Sequence, residues 1–296
     1  MSERPTIRQV AERAGVSIAT ASRALNDRGD VSAETRERVR KAATSLAYSV
    51  DRSARALVTQ RTRLVATVVG DNAGHRDLSL IFFGKVLAEV DRDSVTEYVL
   101  GGDYSTFGPW PRETAERLEA LPAVVRIRGN VDRWLREEPE VPPDAKPLVT
   151  AAVAAALEAL DADLVRRLYE LPERAELDGM LVCHGSPLSD IDSFAREPED
   201  GEERLLAGEA GRTILFGHSH IQFRRPGPDG TLLVNPGSVG MPLDGDPRAA
   251  WALYEDGEID LRRTEYDVER ATAQMRTFGD WAEPIVYRLE HGADAS

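Results

Sequence analysis

The chain has 296 residues, 42% of them hydrophobic, and a net charge of −14. That is enough for one large domain and one small one with a sizeable buried core. No run of about 18 apolar residues occurs, which excludes a membrane-spanning helix, and the single cysteine, Cys183, excludes an internal disulfide. The opening MSERPTIRQV has no apolar segment of the signal-peptide kind, so the cytoplasm is the expected location.

Charge is unevenly spread. Residues 1–63 carry 13 Arg and Lys against 7 Asp and Glu, whereas the remainder carries 24 against 44. A basic head on an acidic body points to nucleic acid at the head alone. Two solvated charged surfaces would give the same totals.

Thr6-Ile7-Arg8-Gln9 has the form of a capping box, a Thr at the N-cap with Gln three residues on. Ile7, Val10, Ala11 and Ala14 follow one helical stripe, and Gly15 ends it, since a left-handed residue costs little for Gly. Val16 suits packing under the turn. Ser17 is placed to cap a second helix to about Leu25, with Ala21, Ala24 and Leu25 inward. A third helix from about Ser32 has Glu34 in its first turn and buries Val39, Ala42, Ala43 and Leu46. Two short helices around a Gly-containing turn match a helix-turn-helix, whose second helix presents its N-terminal residues to the major groove. Those residues are Ser17, Ile18, Ala19 and Thr20, followed by Ser22 and Arg23. Ile18 and Ala19 suit thymine methyls, and Thr20, Ser22 and Arg23 suit bases or phosphates. A small three-helix bundle with an incidental basic face has the same pattern.

The segments TIRQVAERAGVSIATASRALND, VSAETRERVRKAATSLAY and RSARALVTQRTRLVATVVGD closely resemble the LacI family of bacterial repressors from Thr6 to about Asp71. The resemblance implies that the head binds double-stranded DNA as a homodimer on a near-palindromic operator. It also implies a hinge helix at Ser53–Leu57, with Leu57 as the apolar wedge that unstacks a base step. It extends through a first strand, Leu64–Val69, and the start of a first helix at Phe82–Leu87, and then stops. The family's small-molecule sensor and its dimer surface are therefore not expected.

From about Ala88 the text changes. Glu97–Leu100 reads as a short strand followed by Gly101-Gly102-Asp103, and Val124–Arg128 as another followed by Gly129-Asn130-Val131-Asp132. Leu181–Cys183 precedes His184-Gly185, and Thr213–Phe216 precedes Gly217-His218-Ser219-His220. Each polar cluster sits just past an apolar strand, where open α/β sheets gather ligands. A carboxylate, imidazoles and an amide oxygen are together the donors of a divalent-metal site, and two ions about 3.5–4 Å apart clamp a phosphate and activate water. One His beside a core is ordinarily a hydrogen-bonded core residue, and one Gly-Asp is ordinarily a turn. Four such clusters in order are hard to explain that way.

The stretches GGDYSTFGPWP, RGNVDRWL, VCHGSP and FGHSHIQF, with the tail LLVNPGSVGMPLDGDPRAAWALYE, resemble the calcineurin-like metallophosphoesterases of the small bacterial branch, from about Ala88 to Arg262. The resemblance implies a sandwich of two sheets with flanking helices, and hydrolysis of a phosphomonoester or phosphodiester with manganese, iron, nickel or zinc. Carried over by position, Asp103 is the bridging ligand and Asn130, His184 and His218 complete one metal site. His220 joins Asp103 at the other. Asp103, Asn130 and His184 are the candidate catalytic set. Val131 stands where many members have a His that protonates the leaving group, and Asp132 becomes a supporting residue.

The family's first motif, Asp-x-His, should lie on the first strand, and it is not there. Asp71 follows the strand, but Ala73 occupies the His position; counting back from Val86–Arg92 instead places His75 and Asp77 there in reversed order. Asp71, His75 and Asp77 are the candidate substitutes, set against none of them binding metal. The first metal site is thus expected complete and the second only in part.

Further on, Leu148–Leu171 reads as a helical pair broken near Asp161, Ser189–Glu209 as an acidic mobile loop, and Ala271–Arg288 as a terminal helix. The expected fold class is α/β: a small all-α helix-turn-helix domain, then a metallophosphoesterase-type two-sheet sandwich flanked by helices. Residues 1–50 form the first domain, 51–63 the hinge helix and linker, and 64–288 the second. Within the second, residues 64–87 fill the first unit with a LacI-like strand and helix. The expected function is metal-dependent phosphoester hydrolysis with a sequence-specific DNA-binding head. The alternatives are a LacI-type transcriptional regulator whose body is an impaired scaffold or sensor, and an accidental fusion with neither function intact.

Overall fold

The computed structural model describes residues 7–17, 20, 21, 24, 32–45, 63–67, 86, 95, 97–255 and 257–295. The chain divides into two units, Met1–Arg61 and Thr62–Ser296.

In the first unit, helix α1 (Ile7–Ala14) stops at Gly15, whose φ is +65°. Val16 N–H donates to Ala11 O at 3.0 Å and Gly15 N–H to Glu12 O at 3.1 Å. These crossed bonds form a Schellman motif, and they satisfy carbonyls that the helix end would otherwise leave open. Ser17 Oγ accepts the Thr20 N–H at 3.0 Å, and Ala21 N–H bonds Ser17 O at 2.9 Å, so a second helix begins there. Ser32 Oγ accepts the Thr35 N–H at 3.2 Å and caps α2 (Ala33–Ser45). Val10, Ala11, Ala14, Ala21, Ala24, Val39, Ala42 and Ala43 form one buried cluster. The small residues on these helices allow the close approach that so short a bundle needs.

The second unit holds two five-stranded sheets. The first sheet contains β1 (Arg63–Thr67), β2 (Glu97–Leu100), β3 (Ala123–Arg126), β9 (Ala249–Glu255) and β10 (Glu258–Thr264), in the order β10-β9-β1-β2-β3. β1 is its middle strand, parallel to β2 and antiparallel to β9. The second sheet contains β4 (Arg174–Leu177), β5 (Met180–Cys183), β6 (Thr213–Leu215), β7 (Phe223–Pro226) and β8 (Leu232–Asn235), in the order β4-β5-β6-β8-β7. β5, β6 and β8 run parallel.

Strand alternation divides the core into layers. Val99, Val125, Val182, Leu215, Val234 and Ala252 meet between the two sheets. Their neighbours Tyr98, Leu100, Trp251 and Leu253 face helices instead: α3 (Pro111–Glu119), α5 (Lys146–Ala159), α6 (Ala162–Tyr169), α7 (Val268–Met275) and α8 (Glu283–His291). A short α4 (Asn130–Trp134) follows β3 directly. The break read near Asp161 is real: Asp161 Oδ1 accepts the Leu164 N–H at 2.8 Å and starts α6.

Two expectations are corrected. Ser189–Glu209 is not a loose loop, because Phe194, Leu205 and Leu206 are buried against the outer face of the second sheet. Glu202 there forms a nearly buried ion pair with Arg225 at 2.5 Å. Acidic composition hid three apolar anchors spaced too irregularly to form a stripe. The terminal helix is two helices, α7 and α8, separated by 3-10 turns around Gly279, whose φ of +100° no helix accommodates. Of the expected helix start at Phe82–Leu87, Val86 alone lies among the described residues; it is helical and buried in the helix-side core. The expected strand Leu64–Val69 is β1, with residues 68 and 69 outside the described set. No helix among the described residues is long and apolar enough to cross a membrane.

Candidate metal centre

Asp103 follows β2, Asn130 opens α4 after β3, His184 follows β5, and His218 and His220 follow β6. All five therefore leave the carboxyl ends of parallel strands, two in one sheet and two in the other, where the sandwich opens. Three have left-handed backbones: Asp103 with φ 62°, His218 with φ 59° and His220 with φ 58°. Such conformations cost non-glycine residues on the order of 1–3 kcal/mol each and persist only where the surroundings enforce them.

The side chains converge. His184 Nε2 lies 3.2 Å from Asp103 Oδ2 and 2.9 Å from Asn130 Oδ1. Asn130 Oδ1 is also 2.9 Å from His218 Nδ1, and His220 Nε2 stands 4.0 Å from Asp103 Oδ2. The rings of His184 and His218 meet edge to face, 5.4 Å between centroids. All but His218 are nearly or fully buried. On their outer nitrogens the rings are held by main chain: His184 Nδ1 sits 2.7 Å from Gly101 O and His220 Nδ1 sits 2.8 Å from Met241 O. Each Nδ1–H donates outward, which aims Nε2 at the carboxylate and sets the tautomer a metal ligand requires.

Electrostatics follow from this geometry. Desolvation, set against the Asp103 charge, holds His218 down at about 4 and pushes His220 below the ordinary histidine value, so both are neutral with a lone pair to offer. His184 is also desolvated, but the adjacent Asp103 carboxylate lifts it to about 9. The histidines in turn hold Asp103 below the usual carboxylate value against its own burial. In this state His184 carries a proton where a cation would neutralise Asp103.

The donor set fits a divalent cation. Two ligands each about 2.1 Å from one ion stand roughly 3 Å apart, which is the spacing of Asp103, His184, Asn130 and His218 along their contacts. As the side chains stand, no three His, Cys, Asp or Glu among the described residues form a group that could hold a metal ion; Asp103, His184, Asn130 and His218 rest against one another in direct contacts. Cys183 takes no part, since its side chain faces the outer core and burial pushes the thiol well up.

The support is built from Asp132, which is fully buried. Its Oδ2 accepts the N–H groups of Asp103 at 2.7 Å and Gly129 at 2.9 Å, and its Oδ1 accepts the Tyr104 N–H at 2.9 Å. It thereby ties the loop after β2 to the loop after β3. Desolvation and the Asp103 charge push its carboxyl up to about 7, while the three N–H donors hold it down. Tyr104 adds a second tie, its hydroxyl 2.7 Å from Ile127 O and 3.0 Å from Leu100 O. Asn235 does the same for the histidine loop, donating to Gly217 O at 2.8 Å. Tyr104 and Asn235 carried no signal of this role in the sequence, because the bonds that make the ties, to Ile127 O and Gly217 O, run to main-chain atoms 23 and 18 positions away. Val131 is buried among Trp134, Val149 and Val153, so that position offers no proton.

Gly129 is where the loops touch. A Cβ there would lie 2.0 Å from Asp103 Oδ1 and 2.7 Å from Asp103 N. Gly129→Ala is therefore expected to displace Asp103, weaken manganese binding at least about tenfold and destabilise the fold by roughly 1–3 kcal/mol. Calorimetric titration and a urea melt would check both, and unchanged manganese affinity would sink the assignment of Asp103.

Ser17 and Thr20 are the described members of the expected DNA-contact set. Their hydroxyls lie 2.8 Å apart, with Ser17 engaged in capping. Ile18, Ala19, Ser22, Arg23 and Leu57, and the substitute ligands Asp71, His75 and Asp77, lie outside the described residues.

Residues 75–257 match the calcineurin-like phosphoesterase superfamily domain, and residues 6–51 match the lacI family of bacterial regulatory proteins. A metallophosphoesterase from Sphaerobacter thermophilus is similar at 25% identity and a TM-score of 0.62, over 79% of this chain and 100% of that one. A hypothetical protein from Pyrococcus horikoshii OT3 shares the fold, with a TM-score of 0.64 and 19% identity over 79% of this chain and 99% of that one. The HTH-type transcriptional regulator GalS of Salmonella typhimurium is 38% identical over 128 residues, 42% of this chain and 34% of GalS. The regulator CelR of Thermobifida fusca is 49% identical over 69 residues, 23% of this chain and 20% of CelR. The chain thus spans about a third or less of the length of these two curated relatives.

Proposed function

The chain belongs to the calcineurin-like phosphoesterase superfamily and carries a LacI-type head, and we propose that it hydrolyses a phosphoester with divalent metal while the head holds it on DNA. The observation that carries this reading is the convergence of Asp103, Asn130, His184, His218 and His220 from four strand ends into one set of contacts, with His184 and His220 against the Asp103 carboxylate. Asp103, Asn130, His184 and His218 would hold one ion, and Asp103 with His220 a second. A divalent cation bound there (manganese, iron, nickel or zinc) supplies Lewis acidity to the phosphoryl oxygens and lowers the pKa of water.

The protein's own part is orientation. Gly101 O and Met241 O fix the ring tautomers, and Asp132 fixes the distance between the two loops. With valine at position 131, no side chain there protonates the leaving group. Esters of acidic alcohols such as nitrophenol are therefore expected to be hydrolysed far faster than alkyl esters, a steep dependence on leaving-group pKa. A flat dependence would point to a proton donor elsewhere in the site.

Residues 1–50 are assigned to the head, 51–63 to a hinge and linker, and 64–288 to the phosphoesterase domain. The middle position of β1 in the first sheet supports residues 64–87 as its first unit. The head is proposed to read double-stranded DNA as a homodimer through Ser17, Ile18, Ala19, Thr20, Ser22 and Arg23, with Leu57 as the wedge. The decisive experiment assays the full chain with manganese on a chromogenic phosphodiester beside His184→Ala. Activity absent from both would favour the second reading, a DNA-binding regulator with an impaired body, for which Ala73 in the place of the family's His is the specific argument. A gel shift on a palindromic operator, repeated across salt concentrations, tests the head.

A further inference from the structure

His220 is strained and needs a holder. Its φ is 58°, its Nδ1 bonds Met241 O at 2.8 Å, and its own carbonyl accepts the Leu243 N–H at 3.1 Å. Ring and backbone are thus gripped by the same segment, the stretch after β8. That segment is itself pinned by the next residue, Asp244, whose side chain is fully buried. Asp244 Oδ2 accepts the Gln222 N–H at 2.9 Å, returning to the chain two residues past His220, and pairs closely with Arg263 of β10.

Arg263 closes the ring. Its Nε donates to Gln222 Oε1 at 3.0 Å and its Nη1 to Asp246 O at 3.0 Å. Gln222 Nε2 in turn reaches Pro236 O at 3.0 Å, Trp251 O at 3.1 Å and Arg262 O at 3.0 Å. Arg263 and Trp251 belong to the first sheet, whereas Gln222 follows the histidine loop that leaves the second. One polar circuit therefore spans both sheets and ends on His220. A buried ion pair adds little net stability over apolar packing of the same volume, but it fixes geometry and is costly to break from one side.

The geometry points to Asp244 and Arg263 as positioning residues for His220: the pair, relayed by Gln222, holds that ring in its left-handed seat with Nε2 toward Asp103. His184 is held by other contacts, its ring by Gly101 O and its carbonyl by the Gly217 N–H, and neither Asp244 nor Arg263 touches them, so the effect is selective. The inference rests on the metal reading above only for the part of its test that uses metal.

The test takes the full chain with Asp244→Asn, Arg263→Lys, His220→Ala and the two double variants. Nitrogen–proton spectra of the histidine rings in the metal-free protein are expected to show one Nδ1–H tautomer for His220. In both network variants that ring becomes mixed and broadened while His184 is unchanged. Manganese alone is expected to bind about 10- to 100-fold more weakly to each single network variant, with no further loss when either change is added to His220→Ala. An unchanged His220 ring in a folded variant overturns the proposal. So does a full additional loss in the His220→Ala background, which is what general destabilisation would give. If Asp244→Asn does not fold, Arg263→Lys keeps the charge, loses the planar fork, and carries both measurements. If the parent chain binds no manganese, the metal reading fails and the ring spectra decide the positioning role alone.

Discussion

Replacing Asp103 with Asn is expected to slow metal-dependent phosphodiester hydrolysis on the order of a thousandfold while leaving the fold in place. Asp103 supplies the carboxylate nearest to two of the three histidines, with His184 Nε2 at 3.2 Å and His220 Nε2 at 4.0 Å. Asparagine keeps the shape and an oxygen for the Val131 N–H, which Asp103 Oδ1 accepts at 3.3 Å. It removes the charge that offsets a dication and cannot bridge two ions. The fold should tolerate the change because a second carboxylate, Asp132, sits beside Asp103 and gains from losing a like-charged neighbour. Initial rates at saturating manganese would check the first half and thermal melting the second. A variant that keeps more than a tenth of the parent rate would remove Asp103 from the mechanism.

Asp132→Ala should behave in the opposite way, as a stability mutant first. It leaves three buried main-chain donors, those of Gly129, Asp103 and Tyr104, without their acceptor. At roughly 1–3 kcal/mol for each unsatisfied group the loss is about 3–9 kcal/mol, a large part of the stability of an ordinary domain. Asp132→Asn should lose roughly half as much, since its remaining oxygen still accepts. Urea midpoints of the two variants give the comparison. Equal and small shifts would mean that the two loops are held together elsewhere, with the Tyr104 hydroxyl as the next place to look.

Much of the site was legible in the sequence because its donors are short-range signals. A polar cluster directly after an apolar run marks a strand end, and four such clusters marked Asp103, Asn130, His184 and the His218–His220 pair before any coordinates. The head was legible for the same reason. The Gly15 stop, the Ser17 cap and the Ser32 cap are local hydrogen-bond chemistry within a few residues. Less legible was any segment anchored by scattered contacts. Phe194, Leu205 and Leu206 have no helical or strand period, so the acidic residues around them dominated the reading of Ser189–Glu209.

The sequence alone placed the candidate donors Asp103, Asn130, His184, His218 and His220 just past the ends of apolar strands, and the fold keeps them there. Tertiary structure decided what holds those donors. Asp132 ties residues 28 and 29 positions away, Met241 O orients His220 from 21 positions away, and Arg263 reaches Gln222 across 41. Such partners are main-chain atoms or buried charges chosen by sheet pairing, and no local pattern announces them. The left-handed backbones of Asp103, His218 and His220 belong to the same class, since local preference opposes them and only packing from both sheets keeps them there.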